Sequence, residues 1–499
     1  MNKMSNYTKF AVRGTIVVFV VSLLAAFLGY LVRFLLAKNL SIEKFGLFYS
    51  VFSFLGLLGI FKTLGFDKSL IKFIPEFQHE GKNNLIKSSI IYVSIIQFVT
   101  NSIIIVLVYL FSNYLSINFF HNYQAGLVLR LMAIAFFIDN FVFVLKFAFQ
   151  GFQKMTLFAG IDLIRMILIL GTTFIFFRLN YEILSPIIAY IFTPLILLLV
   201  FVPIFVKKVF PEFIKSKYVF SKSLFQRIFK YSIFIMVTST GGMILGYTDS
   251  LVLTYFSGLK SVGLYNVALP TARVLTFFPM AISGVLLPLT SELWAKKKKL
   301  ILKAGIELLY KYSIIIIMPL TLVMFSFAEL LLGVPFGKEY ILASNALRIL
   351  SIGMIFATFY GINYSFFAGI GKPEINSKVV YSAAIFNLIS NLILIPFIGI
   401  IGAAITTTIG YFIMMAFGFT KIKEYIDVVF PIRMWIKTLF IGLVFIFVVW
   451  LLKIVISLNV WLETFLVLII AGIVYAALLF ALKIIDIKEL KDLYVRIVK

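Results

Sequence analysis

The chain has 499 residues, 62% of them hydrophobic and 13% charged, with a mean hydropathy of +1.09. No water-soluble core buries so large an apolar fraction, and many nearly charge-free runs of about 18 or more residues exclude a soluble multidomain protein in favour of a polytopic helical membrane protein. The absence of cysteine excludes disulfides, thiol catalysis and thiolate metal sites, and the net charge of +25 points to basic flanks at a membrane surface rather than to nucleic acid.

In chain order, the first apolar run (14–37) is too long for a signal peptide and lacks a small-residue cleavage site, so it is expected to remain as the first helix. Five spans follow, at 45–66, 88–111, 123–148, 157–177 and 184–206. The Lys-rich segment 207–228, with Pro211, reads as a cytoplasmic linker holding at most a short surface helix. Six more spans are expected at 229–256, 262–291, 304–327, 341–366, 375–396 and 401–420, and two last ones at 436–456 and 459–482, about fourteen in all. The runs do not alternate apolar and polar residues, which argues against a transmembrane β-barrel. His79 and His121 fall in polar loops, which argues against a His-based metal site or catalytic triad.

The chain repeats itself. FFAGIGKPEIN from Phe366 resembles AFQGFQKMTLF from Ala148, with Gly369 and Lys372 each 218 residues after Gly151 and Lys154. VGLYNVA from Val262 resembles FGLFYSV from Phe45, with Gly263 217 residues after Gly46. Leu347-Arg348 follows Leu129-Arg130, and Tyr340 follows Tyr123, at the same spacing. Matches at one offset indicate two copies of one unit, covering 1–206 and 229–420, with residues 421–499 adding two spans and a cytoplasmic tail. Six spans per copy give both copies the same polarity. The expected fold is therefore all-α, with two six-helix lobes related by a pseudo-twofold along the membrane normal, two C-terminal helices, and a substrate cleft between the lobes.

With both termini in the cytoplasm, 31 of the 45 Lys and Arg fall in cytoplasmic segments, six in outer loops and eight inside spans. The Lys296–Lys299 run reads as an inside anchor, with lipid-headgroup recognition as the functional alternative. Outer loops are short and leave no room for a catalytic domain.

The run from Asn387 through Ile395-Pro396, Gly399 and Gly402-Ala403-Ala404 to Thr406 resembles a recurring signature of the polysaccharide transporter family. These are Wzx-type lipid-linked oligosaccharide flippases of the multidrug/oligosaccharidyl-lipid/polysaccharide exporter superfamily. Val262-Gly263-Leu264-Tyr265 and Phe336-Gly337-Lys338-Glu339-Tyr340 fit the same family, and the similarity covers essentially the whole chain. The resemblance implies alternating access, helices 1 and 7 facing each other across the cleft, and no catalytic residues.

Charges at membrane depth face a cavity or a partner. The basic set inside spans is Arg33, Lys62, Arg130, Lys146, Arg165, Arg273, Lys311 and Arg348, against Asp139, Asp162 and Asp249. This excess fits a vestibule for a lipid diphosphate, whose oxygens match guanidinium forks. Salt bridging and snorkelling are the bland alternative. Lys62 and Lys146 lie near span ends and are expected to snorkel, and Asp162 and Arg165, three apart, to pair within one helix. Arg130, Arg273, Arg348 and Arg33 are the candidates for the cationic cleft. Arg33 and Asp249 lie at nearly equal depth in spans 1 and 7, which suggests a reversible ion pair; a local polar cluster of Asp249 with Thr248 and Ser250 is the alternative. Asn387 and Asn391, with Thr406 to Thr408, suit either sugar hydroxyls or interhelical hydrogen bonds. Pro270, Pro279 and Pro288 should bend helix 8.

The leading reading is a flippase that carries an isoprenoid-lipid diphosphate oligosaccharide from the cytoplasmic to the outer leaflet. The alternative is a multidrug/cation antiporter of the same superfamily, whose often cationic substrates a cationic cleft repels. A membrane glycosyltransferase would need acidic residues in a sizeable extramembrane loop, which is missing. No GxxxxGK[ST] occurs, so a proton or sodium gradient or the membrane potential is expected to supply the energy, and no cofactor is expected. In intact cells, a cysteine at Asn118 should react with an impermeant thiol reagent and one at Lys298 should not; the reverse pattern overturns the topology.

Overall fold

The computed structural model describes residues 2–456 and 458–484, with side chains from Val17 onward. The tail expected at the C-terminus lies, from residue 485 on, outside the described residues. Among the described residues there is no β-strand. Twelve helices among the described residues are long and apolar enough to cross a membrane, making this a multi-pass membrane protein.

Helices α1 (Asn2–Asn39) and α2 (Ile42–Thr63) meet at Ser41, whose hydroxyl accepts from the Lys44 amide and caps α2. Leu64 and Gly65, with φ of 47° and 74°, end α2. The amphipathic α3 (Phe66–His79) follows, in a stretch read from sequence as loop. Its short apolar stripe of Phe66, Leu70, Phe73, Ile74 and Phe77 is fully buried. Helices α4 (Asn83–Asn118), α5 (Gln124–Gly151), α6 (Met155–Arg178) and α7 (Leu184–Ile204) complete the first run.

The linker is more ordered than expected. A π-helical turn (Phe205–Val209) and the short α8 (Glu212–Lys215) lead into an extended strap lying along α4. Amides of Lys217, Val219 and Ser221 donate to Asn84 Oδ1, Ser88 Oγ and the Tyr92 hydroxyl. Four helical residues rise about 6 Å, matching two extended ones, so the side chains and amides stay in register.

Beyond the linker come α9 (Lys222–Arg273), α10 (Phe277–Ala295), α11 (Lys299–Ser326), α12 (Ala328–Phe336), α13 (Ser344–Gly369), α14 (Pro373–Ile422), α15 (Ile432–Val455) and α16 (Val460–Ala481). Two of the twelve apolar helices, Lys222–Ala295 and Pro373–Ile422, run for 74 and 50 residues, long enough to cross twice. Each is broken by a glycine outside helical geometry: Gly258 (φ 78°, ψ 171°) and Gly399 (φ 52°, ψ −128°). A side chain is strained at such angles, so glycine marks where the chain folds back. Counted as continuous helices there are twelve, and the expected fourteen requires both long ones to cross twice. Between Pro270 and Pro279, Val274–Thr276 tightens to a 3₁₀ turn, as missing prolyl N–H groups favour.

The chain forms two compact units. The first comprises the chain up to Pro270, Pro335–Ala343 and Val380–Thr406; the second comprises Thr271–Val334, Ser344–Val379 and the chain from Thr407 on. These bounds cut across the two sequence copies because part of the second copy packs tightly on the first. Within the first unit, α2 and α9 cross at glycines: a Cβ on Gly46 would sit 1.9 Å from the Leu259 carbonyl oxygen, and one on Gly263 would sit 2.5 Å from that of Ile42. The first unit also holds an aromatic core in which α3 meets α4 and α5. The second unit centres on Tyr310, whose ring meets Phe359, Phe419 and Phe430 and whose hydroxyl donates to Asn363 Oδ1. One close contact recurs in each unit at the repeat offset. Gly151 faces the Leu70 carbonyl, and Gly369 faces the Leu287 carbonyl, at 2.7 and 2.9 Å from a built Cβ.

The glycine crossing carries the first fold prediction. Gly46→Leu should destabilise the protein by about 1–3 kcal/mol through overpacking, read as a lowered thermal midpoint in detergent, whereas Gly160→Ala, with open space around it, should not.

Candidate functional site

The first unit contains a buried polar network and a charged cavity. The network is assembled by the two glycine breaks. Because α9 folds back at Gly258, Asp249 meets Tyr265 and Ser250 meets Asn266 across the hairpin. Because α14 folds back at Gly399, Asn391 meets Thr406, and Gly402 packs so close that a Cβ would lie 3.0 Å from the Leu394 carbonyl. Asp249 is 3% exposed; its carboxylate accepts from the Tyr265 hydroxyl and from Asn391 Nδ2, each at 2.6 Å. Asn391 Nδ2 also donates to Asn387 Oδ1 at 3.0 Å, and the Thr406 hydroxyl lies within reach of Asn391 Oδ1 and the Ala403 carbonyl. Asn387, Asn391 and Thr406 are fully buried, and Asn387 Nδ2 has no hydrogen-bond partner. The Asp249 carboxylate is thus held by a hydroxyl and an amide donor at membrane depth, where an acid can take up a proton.

Arg33 stands beside this network. Its guanidinium donates to the Asn266 carbonyl and lies 4.2 Å from the Tyr49 ring centre, while Asn266 Nδ2 donates to Ser250 Oγ. Arg33 and Asp249 therefore face different partners, with Asn266 and Ser250 between them.

The cavity has a volume of about 340 Å³ and is walled by α2, the start of α3, α5, α6, α7 and the first part of α9. Phe52, Phe136, Phe147, Tyr190, Met243 and Tyr247 make most of it apolar. One corner is charged. Asp139 lies between Arg165 Nη1, at 2.5 Å, and Lys62 Nζ, at 3.9 Å. Lys146 pairs with Asp162 at 2.6 Å nearby. Lys68, also on the wall, donates to Ser239 at 3.0 Å.

Two expectations are corrected here. Asp162 and Arg165 do not pair within α6. Each meets an opposite charge on α5, because a cross-helix partner closes a buried pair with better geometry than a neighbour three residues along. Lys62 does not snorkel to the surface. It is 7% exposed and turns inward, because α3 continues the protein beyond the break at Leu64 and Gly65 and leaves Lys62 inside it. Lys146 is likewise held by Asp162 rather than by water.

Arg130 donates to Ser112 Oγ and Asn113 Oδ1, and Arg348 donates to Asn345 Oδ1 and Glu329. Arg273 ends α9, with its carbonyl accepting from Thr276. None of Arg33, Arg130, Arg273 and Arg348 lines the cavity. The signal that would have found Lys62, Asp139 and Arg165 is an asymmetry between the copies. At the repeat offset they correspond to Pro279, Ala357 and Ala383, so the charges there are not scaffold requirements.

Long apolar helices, glycine-broken hairpins and buried ionisable clusters lining a cavity define a helical membrane transporter. The sequence profile of the polysaccharide biosynthesis protein family matches residues 11–294, and that of MatE matches 232–393. The chain is 36% identical, over 99% of its length and all of the other, to an uncharacterized membrane protein of Methanocaldococcus jannaschii. It is 23% identical, over 80% of each chain, to the probable low-salt glycan biosynthesis flippase Agl15 of Haloferax volcanii. Its fold resembles that of the lipid II flippase MurJ in an inward closed conformation, with a TM-score of 0.76 at 18% identity over 94% of this chain and all of that one. It also resembles an inward-facing multidrug MATE transporter, with a TM-score of 0.65 at 14% identity over 79% of this chain and 94% of that one. The chain belongs to the polysaccharide biosynthesis protein family, within the multidrug/oligosaccharidyl-lipid/polysaccharide exporter superfamily, and is a transporter rather than an enzyme.

Tyr265→Phe removes one donor from the buried Asp249 carboxylate and should cost about 1–3 kcal/mol of stability, measured by thermal unfolding in detergent. Tyr123→Phe, at an exposed position, should change nothing.

Proposed function

We propose that this protein moves an isoprenoid-lipid-linked oligosaccharide, bearing an anionic phosphate linkage, from the cytoplasmic to the outer leaflet by alternating access. The observation that carries this reading is the cavity of about 340 Å³ with Lys62 and Arg165 in one corner of an apolar wall. Guanidinium and ammonium groups in low dielectric attract a compact phosphate strongly, and aromatic faces suit the sugar and the first isoprene units. The similarity to Agl15, itself a probable glycan flippase, supports the same substrate class.

The alternative is cation export, favoured by the MATE-type neighbours. The cavity argues against it: Lys62, Lys68 and Arg165 line it against Asp67 and Asp139, so a cationic drug meets a net positive wall. Energy would come from an ion gradient or the membrane potential, with Asp249 as the group that takes up a proton or sodium ion. Arg33 and Asp249, separated here by Asn266 and Ser250, are proposed to approach one another when the cavity changes sides.

The test uses proteoliposomes containing a polyprenyl diphosphate oligosaccharide with a fluorescent glycan. The protein should speed loss of that label to a membrane-impermeant quencher at least about tenfold over empty vesicles and should not move ethidium. Ethidium transport with an unmoved glycan lipid would replace the flippase reading with the antiporter one.

A further inference from the structure

We infer that the adjoining ends of α1 and α6 form a site for the headgroup of an anionic membrane phospholipid, with Arg178 as the group that holds its phosphate. The site is distinct from the cavity described above, with which it shares no lining residue.

Helices α1 and α6 run side by side in the same direction. A Cβ on Gly29 would sit 3.7 Å from Met166 Sδ, and at their ends the two helices flank a second cavity, of about 440 Å³ and open to the surface. Leu35 and Asn39 line it from α1, and Phe174, Phe177, Arg178 and Asn180 from α6 and the turn that follows. Among the described residues no carboxylate lines it, and Arg178 is its one charged group. Lys38 and Lys44 lie near this end against Glu43 and Glu182, with Lys44 and Glu182 paired, so the balance of one positive charge is that of Arg178.

The guanidinium is positioned but not satisfied. It lies 5.2 Å from the Phe174 ring centre and, among the described residues, has no hydrogen-bond acceptor and no ion-pair partner. A cation in the last turn of a helix ordinarily serves the free carbonyls there. Here the carbonyls of Ile175, Phe176 and Phe177 already accept from the amides of Leu179, Tyr181 and Asn180. The scaffold does not require the charge either, because at the repeat offset Arg178 corresponds to Pro396. The expected topology puts this end outside, where few Lys and Arg fall, so Arg178 is not an inside anchor.

A guanidinium fork matches two oxygens of one phosphate. Asn39 Nδ2 donates to the Leu35 carbonyl at 2.8 Å, which leaves Oδ1 to accept from a headgroup hydroxyl. Beneath Arg178, the exposed Phe174, Gly171 and Ile167 follow at helical spacing on the same face of α6. The space beside Gly171 is open, so a groove between Phe174 and Ile167 can receive an acyl chain. A soluble phosphate uses Arg178 alone, whereas a phospholipid uses the cation and the groove together. A zwitterionic headgroup brings its own cation to a positive site without a carboxylate, so the anionic headgroup is favoured.

Because the chain lacks cysteine, Leu179→Cys, at an exposed position beside Arg178, can carry a single fluorophore. The full chain is placed in phosphatidylcholine vesicles with rising fractions of phosphatidylglycerol, or of phosphatidylcholine, bearing a quenching spin label on one acyl chain. Half-quenching should need at least about fivefold less phosphatidylglycerol than phosphatidylcholine. Arg178→Gln should bring the two lipids within about twofold, and Arg178→Lys, which keeps the charge and loses the fork, should fall between. Lys338→Gln, at an exposed cation elsewhere in the first unit, should leave the ratio unchanged. Thermal midpoints check folding, and should Arg178→Gln unfold, Arg178→Lys decides. Equal quenching by the two lipids in the parent protein, an unchanged ratio in either folded Arg178 variant, or an equal loss in Lys338→Gln overturns the site. Glycerol 3-phosphate in solution should not relieve the quenching; full relief overturns the lipid assignment in favour of a soluble phosphate.

Discussion

Two cations held in an apolar interior need a carboxylate between them, and Asp139 fills that role for Lys62 and Arg165. Removing one member of such a cluster leaves an uncompensated buried charge, which is far costlier than never having placed it there. The pairing ties α2, α5 and α6 together around the cavity. It also leaves one net positive charge among the three side chains.

The second organising constraint is the backbone. Inside a bilayer every N–H and C=O must be met internally, so the chain departs from helix only where protein or water receives it. Gly258 and Gly399 mark two such departures, each at a φ that strains any side chain. The hairpins they create bring residues about 15 positions apart into hydrogen-bond range, and so build the cluster of Asp249, Tyr265, Asn391 and Thr406.

The two copies share packing and differ in chemistry. The glycine-to-carbonyl contacts of Gly151 on Leu70 and Gly369 on Leu287 recur, because close helix approach needs a missing side chain in either copy. The ionisable groups of the cavity corner and of the Asp249 network do not recur. Lys62, Asp139 and Arg165 correspond to Pro279, Ala357 and Ala383, while Asp249 and Asn391 correspond to Val32 and Thr173. A duplicated scaffold thus holds the Lys62–Asp139–Arg165 cluster in its first copy and the Asp249 carboxylate, bonded to Tyr265 and Asn391, in its second.

Sequence alone determined the class of molecule. Hydrocarbon tolerates so few alternatives that span length and composition suffice to identify a helical polytopic protein, and the internal repeat and the Asn387–Thr406 signature placed it in its superfamily. It also singled out Asp249, Asn387 and Asn391, because amides and acids at membrane depth are conspicuous. The amphipathic α3 was missed because a short half-polar segment between spans reads as a loop until its apolar face has something to pack on. Which charges pair was decided only by the tertiary structure. Asp162 and Arg165 are good neighbours along α6, yet both turn to α5, and Lys62 turns inward rather than to the surface. Spacing along one helix fixes which side chains share a face, but the energy of a buried charge depends on what the next helix presents, and that follows from packing.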